Sequence, residues 1–383
     1  MHYLDNAATT RPSAAACEAL MRCATTAYGN PSSLHALGFE AERELRAARE
    51  SVAAVLHTAP ERIVFTGSGT EATNQALFGL ADRRRGSKLV TTDAEHPCVL
   101  ETLRAIAKQR GFTLCLLHTA GGAPSLEEAA AVIDSDTALV AMMLVNNETG
   151  AVFPAREVGE LAAAAGAFYH VDAVQAFGKL PFSPEGLRCH TLAISGHKVG
   201  GVKGVGALWV APDLHIPPLI YGGGQERGLR SGTEGMPAIA AFGAAARDYA
   251  ARYSAENISA LREEAVHGLE ALGCVVHQPP VVCPCILNFS VPGYRSEPML
   301  HLLSERGVYL SSGSACSSHK KSYSHVLMAM GLPERELQSA LRVSFSPDST
   351  WEDVAALLKG IEACMQTLVR EGPAQKAEGR LPL

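Results

Sequence analysis

From about residue 60 to residue 210 short β-branched runs alternate with longer Ala/Leu/Glu stretches of helical period, and this alternation constrains the fold more than any other feature. The strand-like runs are Arg62–Thr66, Lys88–Thr92, Phe112–His118, Ala138–Val145, Ala167–Val171, Thr191–Ser195 and Ala207–Val210; the first helix-like stretch is Thr70–Arg85. Repeated strand–helix–strand units return the chain to the same end of one sheet, so the pattern predicts a parallel α/β sheet with ligands at the strands' carboxyl ends. Outside this block, Phe39–Val55 reads as a charged helix, while Ala7–Pro12 and Gly29–Ser33 read as loops. Tyr221–Pro237 is glycine-rich, Pro237–Leu272 reads as one long helix, and a new strand–helix series opens at Ile286–Val291. A smaller C-terminal α/β domain is therefore expected.

Charge and cysteine usage narrow the partners. Lys+Arg 33 against Asp+Glu 39 gives a net charge of −6, which provides no basic field for nucleic acid or an anionic membrane, so a small metabolite is the expected ligand. The ten cysteines are scattered, contain no CxxC pair and fit a reducing cytoplasm; Cys283-Pro284-Cys285 has no second ligand pair at zinc-finger spacing, so no metal site is expected. The opening Met-His-Tyr-Leu-Asp has neither a basic nor an apolar leader region, and the longest apolar run, Ala138–Val145, is far short of the roughly 18 residues of a spanning helix.

Four segments carry chemistry. Thr66-Gly67-Ser68-Gly69-Thr70-Glu71-Ala72 follows an apolar strand and opens a helix, the arrangement in which free amides and the helix dipole bind an anion. Gly67, Gly69 and Ala72 also satisfy GxGxxA with Asp93 about twenty residues on, so phosphate binding, dinucleotide binding and a plain tight turn all remain readings of this segment. Asp172 ends the apolar run Ala167–Val171, where a carboxylate binds a metal, caps a helix or holds a proton on a heteroaromatic nitrogen. Lys198, in Ile194-Ser195-Gly196-His197-Lys198, stands just after a strand and before a glycine run, a setting for an imine-forming or a phosphate-pairing lysine. Cys316, in Ser311-Ser312-Gly313-Ser314-Ala315-Cys316, lies among small residues with His319, Lys320 and Lys321 close in sequence, which provides access and positive charge for a reactive thiolate. An anchoring lysine, a phosphate cradle, a carboxylate for a ring nitrogen and a mobile thiol together describe pyridoxal phosphate chemistry.

These segments, taken in order with Tyr3–Thr10, Gly29–Ser33, Glu95-His96, Val145–Gly150, Val171–Gln175 and Arg230–Thr233, resemble the cysteine desulfurases of the class V aminotransferase group. The Ser-Ser-Gly-Ser-Ala-Cys loop is similar to the long-loop members that feed iron–sulfur assembly. The resemblance implies a fold-type-I transferase: a large domain with a mostly parallel seven-stranded sheet flanked by helices (12–255) and a smaller α/β domain (1–11 and 256–383) carrying a mobile cysteine loop at about 311–322. It implies that Lys198 bears pyridoxal phosphate, His96 stacks on the ring and assists proton transfer, Asp172 keeps the ring nitrogen protonated and Gln175 contacts the ring oxygen. Gly69, Thr70, Ser195, His197 and, from a partner subunit of a homodimer, Thr233 would cradle the phosphate. Asn147 would touch cofactor and substrate, and Arg342, assisted by Asn30, would hold the carboxylate of L-cysteine. Cys316 would take the sulfur as a persulfide, release L-alanine and pass the sulfur to a protein acceptor in iron–sulfur assembly or thiolation. Gly200, Val202 and Pro97 depart from the family's usual residues. The rival readings are another class V aminotransferase or lyase, such as a selenocysteine lyase, a nicotinamide dehydrogenase, and an inactive sulfur-carrying or regulatory module.

Overall fold

The computed structural model describes residues 1–83, 86–312 and 323–370. The chain begins with β1 (His2–Tyr3), α1 (Ala14–Thr25) and α2 (Ala36–Val55). The alternating block follows as β2 (Ile63–Thr66), α3 (Gly69–Ala81), β3 (Lys88–Thr92), α4 (Pro97–Arg110), β4 (Thr113–Leu117), α5 (Leu126–Val132), β5 (Thr137–Met143), α6 (Ala155–Ala165), β6 (Phe168–Asp172), β7 (Thr191–Ser195) and β8 (Gly206–Val210).

Each strand-like run of the sequence is a strand of one seven-stranded sheet, ordered β2-β8-β7-β6-β5-β3-β4. The pairs from β4 through β3, β5 and β6 to β7 are parallel, and every residue of β5 is buried, as a sheet covered on both faces requires. β8 runs antiparallel to both β7 and β2. Only residues 196–205 join β7 to β8, fewer than the dozen or so that a parallel crossover needs, so the chain turns straight back.

The stretch expected as one helix over Pro237–Leu272 is two helices, α7 (Met236–Arg252) and α8 (Ala255–Ala271). The break has a local cause: Tyr253 is extended and the Ser254 side chain accepts from the Asn257 amide, capping α8. No proline or glycine marks that junction, so hydrophobic period runs through it unbroken. α7 packs against α1 and α2 through small residues, and a Cβ placed on Gly243 would lie 2.4 Å from the Ala48 Cα.

The remaining chain adds β9 (Val275–His277), β10 (Ile286–Ser290), α9 (Ser296–Glu305), β11 (Val308–Tyr309), α10 (His325–Ala329), α11 (Glu334–Leu337), β12 (Ala340–Ser344) and α12 (Trp351–Thr367). β12, β10 and β9 form a separate antiparallel sheet. The N-terminus belongs with this part: β1 pairs parallel with β11, Asp5 bridges to Ser344, and His2 Nδ1 lies 2.8 Å from the Asp353 carboxylate at the start of α12.

The α2–α7 contact leaves no room for a methyl group. Gly243→Ala is expected to lower stability by about 1–2 kcal/mol, overpacking outweighing the better helix propensity of alanine. Urea midpoints of the two proteins measure it, and equal midpoints would show that the helices separate without cost.

Candidate active site

The carboxyl ends of β2, β6 and β7 open toward the first turn of α3. Ser68 caps that helix by accepting from the Glu71 amide at 3.1 Å, and the Glu71 carboxylate reaches back to the Gly67 amide at 2.8 Å. Arg230 Nε pairs with the same carboxylate at 2.9 Å. A helix offers no internal acceptor to its first amides, so the Gly69 and Thr70 N–H groups are available to an anion. The backbone there is bare and closely backed. A Cβ on Gly69 would sit 3.0 Å from Val174 and 3.3 Å from the Ser195 Cβ, and one on Gly206 would sit 2.6 Å from the Gly69 nitrogen. Asp93, the acid that a dinucleotide reading requires, is engaged elsewhere: its Oδ1 accepts from the Thr119 amide and hydroxyl at 3.1 and 2.6 Å. Phosphate binding and a plain tight turn are the readings of this segment that do not call on Asp93.

Lys198 closes a short 3-10 turn after β7, and its Nζ donates to the carbonyls of Ala7 at 2.6 Å and Ala8 at 2.9 Å. Asp172 ends β6, buried, with Oδ1 accepting from the Val174 amide. Burial raises the Asp172 pKa, while the Val174 amide hydrogen bond and the Lys198 charge oppose the rise. His96 is the N-cap of α4. Its Nδ1 accepts from the Cys98 amide at 3.2 Å, which leaves the proton of the neutral ring on Nε2. Burial lowers the His96 pKa against the pull of Asp172, so the neutral ring is favoured. Pro97 occupies the first position of α4, where an amide hydrogen would have no partner; that departure costs the helix nothing. Gly200 has φ +79°, a conformation in which the bulkier residue usual in the family would be strained.

The N-terminal segment seals the same space. Gln175 Nε2 donates to the Ala7 carbonyl at 2.9 Å, the Thr10 hydroxyl donates to the His197 carbonyl, and His197 Nδ1 lies 3.2 Å from the Thr9 hydroxyl. Burial, and after it Lys198, pushes the His197 pKa down to about 4. Ser195 is buried at the end of β7. Arg342 on β12 is 2% exposed; it donates to the Asn147 carbonyl at 2.9 Å and to Asp5 Oδ1 at 2.8 Å, and its Nε has no partner. Asn147 is held in a turn by Asn146, whose side-chain oxygen accepts from the Glu148 and Thr149 amides.

The structure thus gathers Lys198, Asp172, His96, Gln175, Ser195, His197, Gly69 and Thr70, and it joins Arg342 to Asn147. Asn30 is exposed, accepting from the Ser32 amide, and among the described residues no contact links it to Arg342. Thr233 is exposed and lines a cleft of about 190 Å³ with Gly67 and Arg230. Cys316 lies outside the described residues; the chain leading to it leaves from Ser311, which exchanges backbone hydrogen bonds of 3.2 and 2.7 Å with Arg342.

Sequence reasoning assigned no role to the Ala7 and Ala8 carbonyls, Asp5, Lys179, Glu95 or Glu148. Glu95 is fully buried, accepts from the Thr92 hydroxyl and the Met143 amide, leaves Oε2 without a partner, and has its pKa pushed up to about 8 by burial. Glu148 accepts from the Ser324 hydroxyl, and burial pushes its pKa up to about 7. The signal for both carboxylates was their position, directly beside His96 and Asn147.

The sequence profile of the family described as "Aminotransferase class-V" matches residues 2–357. A cysteine desulfurase of Trichormus azollae is 38% identical, covering 98% of this chain and 96% of that protein. Cysteine desulfurase IscS of Methanosarcina thermophila is 35% identical, covering 99% and 95%. Among solved structures, a NifS-like protein superposes with a TM-score of 0.89 at 37% identity, covering 96% of this chain and 99% of that one. SspA in complex with cysteine gives 0.80 at 31% identity, covering 91% and 100%.

Glu95 binds its proton more tightly in the folded chain than in the unfolded one, so its contribution is fully present below about pH 4.5 and is lost as pH rises through about 8. Glu95→Gln keeps the shape and removes this titration. Relative to the parent, the variant is expected to gain about 2–4 kcal/mol between acidic and mildly alkaline pH, a pK unit being worth about 1.4 kcal/mol. Paired urea titrations across that range measure it, and parallel profiles would refute it.

Proposed function

The chain belongs to the class-V aminotransferase family and, within it, to the cysteine desulfurases, and on that premise we propose that it holds pyridoxal phosphate on Lys198 and stores the sulfur of L-cysteine as a persulfide on Cys316. One observation carries this reading: a lysine, a buried carboxylate and a neutral imidazole converge at the ends of β6 and β7 beside an anion-binding helix turn. The pocket fits the cofactor, since Gly69 leaves open the space that a Cβ would fill and Asp172 places a buried carboxyl for a ring nitrogen.

When bound, pyridoxal phosphate supplies the electron sink that makes the substrate's α-proton acidic and its sulfur electrophilic. The Gly69 and Thr70 amides, with Ser195 and His197, bind the phosphate, and Asp172 holds a proton on the ring nitrogen. Gln175 donates from its amide to the ring oxygen, and His96 covers the ring with its Nε2 proton available for transfer. Arg342 takes the substrate carboxylate, for which its unpartnered Nε–H is a free donor, while Asn147 and Asn30 orient the substrate. Lys198, with its amine released, removes the α-proton. The Cys316 thiolate then attacks the substrate sulfur: an S–S bond forms, the C–S bond breaks, and the carbon skeleton is protonated and leaves as L-alanine.

Thr233, exposed beside the Gly67 turn, is read as the phosphate ligand that each subunit of a homodimer lends to its partner. Residues 12–255 are read as the cofactor-binding domain, with 1–11 and 256–383 as the second; the β1–β11 pairing and the Asp5–Ser344 bridge support that division. Nine cysteines are free among the described residues and no described helix is long and apolar enough to cross a membrane, which supports work in a reducing cytoplasm on a protein sulfur acceptor.

Cys316→Ala is expected to remain yellow and to release neither sulfide nor alanine at more than about a hundredth of the parent rate, the scale on which loss of one essential group is felt. Sulfide and alanine counted in one assay measure it; normal release would refute the thiol assignment. Arg342→Lys is expected to raise KM for L-cysteine about tenfold, the equivalent of one charge-assisted hydrogen bond. Steady-state kinetics on the two proteins measure it, and an unchanged KM would place the carboxylate elsewhere.

A further inference from the structure

β2 is the edge strand of the large sheet, with β8 as its one neighbour, and an edge strand leaves a row of backbone groups without strand partners. Side chains from α2 and from the glycine-rich loop at 221–235 take their place. The Phe65 amide donates to Glu226 Oε2 at 3.0 Å, and the Ile63 carbonyl accepts from Arg49 and Arg227 at 2.6 and 2.7 Å. Glu226 is buried and its carboxylate is forked by Arg49, with Nη1 on Oε2 and Nη2 on Oε1, both at 2.7 Å. The Arg49 guanidinium also lies 4.9 Å over the Phe65 ring. To make this contact the loop adopts an uncommon backbone: φ is +48° at Glu226 and +59° at Arg227, so two successive residues with a Cβ sit in the left-handed region. Such a conformation persists only where its surroundings hold it, and the Arg49 fork is that hold.

The loop then runs to the anion-binding turn. Gln75 Nε2 on α3 donates to the Leu229 carbonyl at 2.6 Å, and Arg230 Nε donates to Glu71 Oε1 at 2.9 Å. The other oxygen of Glu71 accepts from the Gly67 amide at 2.8 Å. Glu71 directly follows Thr70, so its charge lies beside the amides that an anion would use. A carboxylate left unpaired there would repel a phosphate, and Arg230 both neutralises it and keeps its oxygen on Gly67.

We propose that Glu226 and Arg230 are positioning residues for the cofactor phosphate. The Arg49–Glu226 fork fixes the loop on the β2 edge, and the loop carries Arg230 to Glu71, so that the Gly67–Thr70 turn keeps its shape and faces the phosphate without an opposing charge. Thr233 lies on the same loop, three residues past Arg230. Both residues act through Glu71 and the loop rather than by contact with the phosphate. The inference rests on the reading that Lys198 and this turn hold pyridoxal phosphate.

The test compares two aldehydes that differ by the phosphate alone. The full chain, stripped of cofactor, is titrated with pyridoxal phosphate and with pyridoxal, and visible absorbance gives a dissociation constant for each. The parent is expected to bind pyridoxal phosphate the more tightly. Glu226→Gln and Arg230→Gln are each expected to weaken pyridoxal phosphate about tenfold, the scale of one charge-assisted contact, and to change pyridoxal by less than about twofold. A merely structural role would weaken both aldehydes alike; that result, or two unchanged constants, overturns the proposal. If Glu226→Gln fails to fold, Arg49→Lys, which keeps the charge and loses the fork, is judged by the same two outcomes. Failure of the cofactor reading is distinguishable. A parent that binds the two aldehydes equally contradicts the phosphate site itself, whereas a parental preference retained in the variants overturns the bracing alone.

Discussion

A carboxylate taken out of water at the end of β6 organises this protein. Asp172 is buried among apolar strands; burial raises its pKa, and the Val174 amide hydrogen bond and the Lys198 charge act against that rise. The fold is what makes such an arrangement affordable. Parallel pairing of β5, β6 and β7 brings their carboxyl ends to one edge, so residues 172 and 195–198 meet although the chain between them makes a long excursion. The antiparallel β8 then sets Gly206 against the Ser68–Gly69 backbone and fixes the helix turn beside them.

The N-terminal segment binds the second sheet to this edge. Its carbonyls at Ala7 and Ala8 hold the Lys198 ammonium, and Asp5 holds Arg342 on β12. Lys198 and Arg342 therefore both hang from one short stretch of chain, placed by the β1–β11 pairing and the Asp5–Ser344 bridge. The buried carboxyls Glu95 and Glu148, each beside a site residue, extend the same economy: they accept from backbone and hydroxyl donors in place of water.

Local features were legible in the sequence. Strands β2 to β8 announce themselves because buried parallel strands are near-continuous β-branched runs, and Gly69, Asp172 and Lys198 stand out because ligand-facing residues fall where those runs stop. What depends on distant partners was not legible. The direction of β8 follows from the length of one connection, and the split between α7 and α8 from one serine cap. The Asp5–Arg342 pair joins positions 337 residues apart. Cys316 was the reverse case, conspicuous in sequence and outside the described residues.

The central claim is that this site turns L-cysteine into alanine and transferable sulfur. The most direct test adds L-cysteine and a thiol reductant to purified yellow protein and counts alanine and sulfide in the same tube. The account predicts equal amounts of both over many turnovers. Yellow protein that makes neither product, or alanine-free transamination with a 2-oxo acid in its place, would contradict it.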